Sequence, residues 1–577
     1  MALINKKEVA SILEEIGTLL ELKGENPFKT RAYFNAARTI SGLTGDLQQL
    51  VESGEIGKVK GIGKALAEKI TTLVTTGELA YYEELKAEFP PTIFELMNIP
   101  GLGPKKIKKL YETLGISSLI ELEYACNENR LVDLEGFGAK SQENILQGIE
   151  ARKKYSEKFH LPVAEHAATT MIEHIRKAKG IKRSDIAGSL RRKKEIIGDI
   201  DILVSAAQND TPAIMKKFVS APEVERVIAG GKTKSSVILK SGINVDLRVV
   251  ADKEFPFALH YFTGSKEHNV RMRTIAKDHN LKLNEYGLFH ESNNKPVACK
   301  DEKDIFKKLG LVYIEPELRE DFGEIEAAEK NNLPGLIEEK DLRGTFHCHT
   351  TYSDGANTLK EMADAAMQRK WQYLGIADHS KSAQYARGLS KADLKKQRKE
   401  INSLNEQFDS FQIFHGIESD ILADGSLDYD DKTLGELDFV VASVHSRFKM
   451  SEAEMTGRII NAIKNKNTTI LGHPTGRLLL SRDGYQVDLV KIIEAAADYG
   501  KAIEINSHPY RLDLDWRMVK FAKEKGVKIF INPDAHNTEG LDDVRFGVGI
   551  ARKGWLEKED VINAMEVDRV IKYLGLL

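Results

Sequence analysis

Residues 188–201 read Gly188-Ser189-Leu190-Arg191-Arg192-Lys193-Lys194-Glu195-Ile196-Ile197-Gly198-Asp199-Ile200-Asp201 and run on into Ile202-Leu203-Val204. A Gly-Ser turn followed by Asp-x-Asp at the head of an apolar, β-branched run predicts a strand. Asp199 and Asp201 project from one face of it, because side chains alternate along a strand. Two carboxylates so placed suit two-metal phosphoryl transfer, in which ions about 3.5–4 Å apart activate an attacking hydroxyl and stabilise the leaving group. A third carboxylate is needed. Ser241-Gly242 marks a turn between two strands, and on the second of these Asp246 shares a face with Asn244 and Arg248, while Val245, Leu247 and Val249 take the other. An isolated Asp-x-Asp is commonly a solvated strand end. With Gly-Ser upstream and a third Asp on an adjoining strand, it predicts a nucleotidyl-transfer centre.

Working outward, residues 151–320 mix such strands with helical segments, an α+β module. Residues 1–150 read as almost purely helical, with Val9, Ile12, Leu13, Ile16 and Leu20 at helical spacing. A short pattern recurs there three times: Val59-Lys60-Gly61-Ile62-Gly63-Lys64, Ile99-Pro100-Gly101-Leu102-Gly103-Pro104 and Leu134-Glu135-Gly136-Phe137-Gly138-Ala139. Hydrophobic residue, Gly, hydrophobic residue, Gly and then a helix start is the signature of a helix-hairpin-helix. The glycines allow a tight turn that aims amide N–H groups of the next helix at a DNA phosphate. Such contacts hold DNA without reading sequence.

The charge distribution agrees. The net charge is −3 over 577 residues, but residues 1–150 sum to about −5, residues 151–322 to about +8 and the remainder to about −6, so the middle segment is the expected polyanion footprint.

The first 320 residues resemble family X DNA polymerases, whose core is that of DNA polymerase beta. Gly188-Ser189-Leu190-Arg191-Arg192 is similar to the family's triphosphate-binding loop, with Gly198-Asp199-Ile200-Asp201 at the expected distance. Tyr261-Phe262-Thr263-Gly264-Ser265, Asn269, Arg273 and Asn284-Glu285-Tyr286 match its nucleotide- and template-contacting segment. The resemblance implies that Asp199 and Asp201 bind Mg2+ or Mn2+ ions and the incoming dNTP, and that Asp246 orients or deprotonates the primer 3′-hydroxyl. It also implies that Gly188, Ser189 and Arg192 hold phosphates and that Tyr261, Phe262 and Gly264 line the sugar pocket. Asn269 and Arg273 reach the nascent base pair, and Arg248 joins the DNA contacts. The family's N-terminal domain can remove a deoxyribose phosphate through a lysine Schiff base. Alignment puts Lys69 at that position, with Lys29 and Tyr33 at pocket positions. Ala65 replaces a phosphate-binding lysine, and Lys69 reads equally as a nucleophile or a solvated helix lysine.

From Asp341 onward, short apolar strands alternate with amphipathic helices, and histidines and acids sit at the strand ends: Phe346-His347-Cys348-His349, Ala377-Asp378-His379, Ile417-Glu418, Val444-His445, Gly472-His473 and Asp534-Ala535-His536. With residues 502–506 they imply about seven βα units, and strand C-termini of such a barrel converge on one rim. Imidazole and carboxylate in that number suit Zn2+, Mn2+ or Fe. His347 and His349 share a strand face, which turns Cys348 to the other side and gives it a structural role. The pattern resembles the polymerase and histidinol phosphatase (PHP) domain, a (β/α)7 barrel. By that resemblance one ion sees His347, His349, Glu418 and Asp534, a second Asp354, His379 and His536, and a third Glu418, His445 and His473, with Asp354 in place of a histidine found in some relatives.

The expected organisation is therefore multidomain. A helical lyase-like domain spans 1–85 and a fingers-like domain with two helix-hairpin-helix motifs spans 86–150. The nucleotidyltransferase palm and thumb-like subdomain span 151–320, a linker 321–340 and the PHP domain 341–577. The expected function is gap-filling DNA synthesis in base excision repair, with 3′–5′ exonuclease, 3′-phosphatase or abasic-site endonuclease activity. Gapped or nicked DNA and dNTP are the expected partners of a monomer. Three scattered cysteines, the absence of a long apolar run and an N-terminus without a signal-peptide core point to the cytoplasm and away from membranes. Two alternatives compete: a non-polymerising nucleotidyltransferase, and a DNA-binding scaffold with a hydrolytic PHP domain.

Overall fold

Glycine placement organises the N-terminal part of this computed structural model, which describes residues 6–41, 43, 47–59, 61–97, 99, 101–132, 134–153 and 158–576. Lys60 and Pro100, quoted in two of the repeats above, lie outside the described residues. The chain divides into two units, Met1–Ala151 and Arg152–Leu577, a coarser partition than the five expected segments. In the first unit the described residues form only helices. In each repeat the leading glycine has a positive φ (Gly61 +96°, Gly101 +83°, Gly136 +88°), a conformation that a Cβ disfavours. Gly63 and Gly103 then cap the helices Lys64–Thr76 and Pro104–Leu114, and the third repeat leads into Ala139–Lys153. Val9, Leu13, Ile16 and Leu20 are buried with Ile70, Leu73, Ile107 and Leu110 in one core, whereas Ile12 is only partly covered.

The second unit begins with a five-stranded sheet in the order Ile181–Ile186, Asp199–Ala206, Asn244–Val250, Lys234–Leu239, Val224–Gly230, all pairs antiparallel except the second. Helices Leu161–Arg176 and Thr211–Val219 cover it with Ala168, Ile172, Ile214 and Phe218. The helices Phe255–Thr263 and Lys266–Asp278 and a small sheet of Leu281–Asn284, Gly287–His290 and Pro296–Val297 follow.

Seven parallel strands then pair in chain order, from Gly344–Cys348 to Ile529–Asn532. The first and last approach through a Cys348–Ala535 bridge and the Phe346 N–H, which donates to Asn532 Oδ1 at 3.1 Å, so the barrel is nearly closed. Its base is filled by Phe346, Phe414, Phe439 and Phe530, all buried, and Gly375 and Gly416 leave the space these rings occupy. The expected linker is packed. Glu324–Glu329 is a helix with Ile325 and Ala328 buried, and the Ile337 N–H donates to Leu556 O at 3.0 Å. Among the described residues no helix is long and apolar enough to cross a membrane.

Candidate metal centres

Strand register places the first acidic group. Asp201 lies directly opposite Asp246 on the neighbouring parallel strand, and Asp199 stands two residues before Asp201 on the same face. Burial and then repulsion from Asp199 and Asp246 push the Asp201 carboxyl up to about 6. Asp246 accepts from Ser236 Oγ at 2.5 Å and meets Lys234 Nζ at 2.6 Å. Three carboxylates crowded so closely need positive charge, which Lys234 supplies only in part, and the donor set fits hard divalent cations. Gly188 packs against this group: a Cβ there would come 2.5 Å from Asp201 Oδ2. Arg248, on the Asp246 face, lies 4.3 Å from the centre of the Phe262 ring.

The phosphate loop differs in one respect from expectation. Ser189 is partly exposed, but Arg192 is buried: its guanidinium donates to Glu320 Oε1 at 3.1 Å and to the Thr263 carbonyl. Arg191 is tied to Glu302 (2.6 and 3.1 Å) and to Thr263 Oγ1 (2.7 Å). Tyr261 and Phe262 meet edge to face, Asn269 Nδ2 donates to Tyr261 O at 2.7 Å, and Arg273 is exposed. Gly264, at φ +71°, leaves room for Arg192 Nη1, which a Cβ would approach to 3.0 Å.

All nine candidate ligands of the barrel gather at one end of the strands, and each is buried or nearly so. Glu418 is their centre. Its Oε1 lies 3.2 Å from His347 Nε2, 3.1 Å from His445 Nε2 and 3.0 Å from His473 Nε2, and its Oε2 lies 2.8 Å from His379 Nδ1. Asp534 Oδ1 lies 3.0 Å from His349 Nε2 and 3.4 Å from His347 Nε2. Asp354 lies 3.4 Å from His536 Nε2 and 3.5 Å from His379 Nε2. Among the described residues of the barrel, groups able to enclose one ion are His347-His349-Asp534, His349-Asp354-His379-His536 and His379-Glu418-His445. His349 and His379 therefore each face two groups, where the resemblance assigned each to one.

Burial works against the Glu418 charge, yet His445, His347 and His379 hold its carboxyl well below the usual range. His347 Nε2, His349 Nδ1 and Glu418 Oε2 are buried without a well-oriented hydrogen-bond partner. Divalent ions held by neutral rings would satisfy both features. Three of the ligands have left-handed backbone, His347 (φ 56°), His473 (22°) and Asp534 (53°), a conformation that non-glycine residues adopt mainly where the surroundings enforce it.

Sequence reading missed the side chains behind the ligands. Glu504 Oε2 accepts from His347 Nδ1 at 2.7 Å and from Asn532 at 3.0 Å, while its Oε1 accepts from the His473 N–H and from Asn506. Asp420 Oδ1 lies 2.5 Å from His445 Nδ1. Asp378, next to His379 in the chain, is buried and bound by Thr350, Ser353 and Gln397 rather than turned into the cluster. The only signal for Glu504 and Asp420 was position at a strand end, which does not separate a ligand from its support. Cys348 is buried in an apolar cluster with Leu359, Met362 and Ile376.

In the first unit Lys69 Nζ stands 4.9 Å and Lys29 Nζ 5.8 Å from the centre of the Tyr81 ring, which stacks with Tyr33 at 6.5 Å. The three candidates thus meet around an aromatic residue that the sequence reading did not single out.

Four family models match the chain: "Helix-hairpin-helix domain" at residues 4–79, "SAM-like Helix-hairpin-helix tandem" at 93–151, "DNA polymerase beta thumb" at 258–320 and "PHP domain" at 345–508. The chain is 40% identical, over 574 residues and 99% of both chains, to the DNA polymerase/3′-5′ exonuclease PolX of Bacillus subtilis. It is 30% identical over 239 residues, 40% of this chain and 92% of the relative, to a probable phosphatase of Thermoanaerobacter sp.. A probable phosphatase of Caldicellulosiruptor saccharolyticus is 32% identical over 205 residues, 33% of this chain and 78% of the relative.

Proposed function

The chain belongs to the family of PolX, the DNA polymerase/3′-5′ exonuclease, and from that membership we propose that it fills short gaps during base excision repair and trims or cleans 3′ ends with its barrel. What supports the polymerase half most is the set of three carboxylates on adjacent strands beside the Gly188-Ser189 turn. Template-directed synthesis joins the primer 3′-oxygen to the α-phosphorus of a dNTP and breaks its bond to pyrophosphate. In this reading Asp246 orients the 3′-hydroxyl and takes its proton, while Asp199 and Asp201 face the triphosphate. Ser189 and Arg192 hold its phosphates, and Tyr261, Phe262 and Gly264 line the sugar pocket. Asn269, Arg248 and Arg273 face the base pair and the strands, and the glycine pairs 61/63, 101/103 and 136/138 grip the backbone of gapped or nicked DNA.

Asp199, Asp201 and Asp246 would hold Mg2+ or Mn2+ and the barrel Zn2+, Mn2+ or Fe, which when bound would polarise phosphoryl oxygens and acidify the attacking group. In the barrel, His347, His349, Asp354, His379, Glu418, His445, His473, Asp534 and His536 would hold them, and their burial excludes bulk water. Glu504 and Asp420 fix the rings of His347 and His445. The substrate of this centre is a 3′-terminal nucleotide, a 3′-phosphate or an abasic site within a strand. Lys69, beside Tyr81 with Lys29 and Tyr33, is the candidate nucleophile of a deoxyribose-phosphate lyase. The protein acts as a cytoplasmic monomer.

Extension of a one-nucleotide gap by the parent and by Asp246→Ala, with exonuclease assays of His347→Ala, tests both halves. The expected result is template-dependent addition lost in the first variant and 3′ degradation lost in the second. Addition without regard to template, or an active Asp246→Ala, refutes the polymerase assignment of these residues. Lys69→Ala that still forms a borohydride-trapped adduct refutes the lyase assignment.

A further inference from the structure

Lys553 ends the helix Val544–Lys553, which belongs to the barrel region, yet its ammonium does not serve the barrel. It is 1% exposed. Its Nζ donates to Glu320 Oε1 at 2.7 Å, to the Arg192 carbonyl at 3.1 Å and to the Glu317 carbonyl at 3.4 Å. The same Glu320 oxygen accepts from Arg192 Nε at 3.1 Å, and Lys194 Nζ stands 3.6 Å from the other oxygen. The next residue back, Arg552, pairs with Glu317 at 2.8 Å, and Gly549 of the same helix lies against the Lys193 side chain. A helix of one enzyme is thus seated on the phosphate loop of the other.

Charge explains why a lysine stands there. A buried ammonium is costly unless paired, and Glu320 pairs with it. Glu320 also faces Arg192, the guanidinium assigned above to the incoming triphosphate. If Arg192 were its only buried partner, Glu320 would neutralise that guanidinium and compete with phosphate for it. Lys553 balances the carboxylate, so Arg192 retains positive charge for its ligand, and the bond to the Arg192 carbonyl holds the loop in place. We infer that Lys553 is a positioning residue for dNTP binding, through which the PHP region sets the electrostatics of the polymerase site. This rests on the assignment of Arg192 to the triphosphate.

Single-nucleotide gap filling by the full-length protein tests the inference. Lys553→Met keeps the apolar stem and removes the charge. Its KM for dNTP is expected to rise about tenfold, within the usual range of coupling between sites, with kcat within about twofold. Degradation of a single-stranded oligonucleotide by the barrel centre stays at the parent rate and reports that the variant is folded. In Glu320→Gln/Lys553→Met both charges are gone, and KM returns to within about threefold of the parent. An unchanged KM in Lys553→Met, or a double variant as impaired as the single one, overturns the inference. Should Lys553→Met fail to fold, Glu320→Gln decides: a KM at or below the parent's supports it, and a raised KM overturns it. Arg192→Ala separates this from the underlying assignment, since an unaltered KM there removes Arg192 from the triphosphate site altogether.

Discussion

Glu504 stands behind the candidate metal ligands rather than among them. It is fully buried, binds His347 Nδ1 on one oxygen and the His473 N–H on the other, and so fixes the orientation of one candidate ligand and the backbone of another. Loss of such a partner typically weakens metal affinity by about 10–100-fold. Glu504→Gln is therefore expected to lower the affinity of the barrel for Mn2+ by about that factor, read by metal titration of the purified protein, while gap filling is unchanged. An affinity equal to the parent's would show that His347 is oriented without it. At this scale the sequence was informative where chemistry repeats: eight donors at or just beyond strand ends were legible, because imidazole and carboxylate recur there, whereas Asp354, in the loop after the first strand, was assigned only through the resemblance. The supporting acids were not, because Glu504 and Asp420 obey the same rule of position. Nor was the burial of Arg192, which depends on Glu320 and Lys553, residues far apart along the chain.

The elements were legible where periodicity or glycine chemistry defines them. Two glycines per repeat predict a turn and a helix start, and the turns at Gly61, Gly101 and Gly136 require the positive φ that only glycine adopts without penalty. Around Gly101 and Gly136 nothing lies within 4 Å of a Cβ, so the demand there is conformational rather than steric. Gly101→Val is accordingly expected to destabilise the first unit by about 1–2 kcal/mol, the cost of left-handed backbone. It should weaken binding to gapped DNA of any sequence to the same degree, measured by fluorescence anisotropy. A variant that lost affinity for one sequence only would contradict backbone contact by this turn. What periodicity could not supply was the packing of residues 321–340. Leu333-Pro334-Gly335 and a run of glutamates look like a tether, but the burial of Ile325, Ala328 and Ile337 depends on surfaces contributed by the thumb-like region and the barrel.

At the scale of the whole molecule, buried charge ties together the parts of the second unit. Glu302 is the clearest case: Arg191 of the expected phosphate loop and Arg319 of the thumb-like region both bind it at 2.6 Å, and Arg319 is wholly buried. Burial alone would raise the Glu302 carboxyl, but Arg319 and Arg191 outweigh it and draw the group down from 4.5 to about 2. A carboxylate with a depressed folded-state pKa contributes stability that is complete above its unfolded value and is lost as the pH falls from about 4.5 through about 2. A shift of this size corresponds to about 3 kcal/mol. All three tryptophans, Trp371, Trp516 and Trp555, lie in residues 152–577, so their fluorescence reports unfolding of the second unit alone. Denaturant unfolding followed this way is expected to show Glu302→Gln destabilised by about 3–5 kcal/mol at pH 7, because the buried Arg319 and the partly buried Arg191 lose their shared partner. The gap to the parent should narrow steadily below pH 4.5, as Glu302 of the unfolded parent chain takes up a proton that the folded chain does not bind until about pH 2. A difference that stayed constant down to pH 2.5 would mean that packing of the side chain, rather than its charge, joins the expected phosphate loop to the thumb-like region.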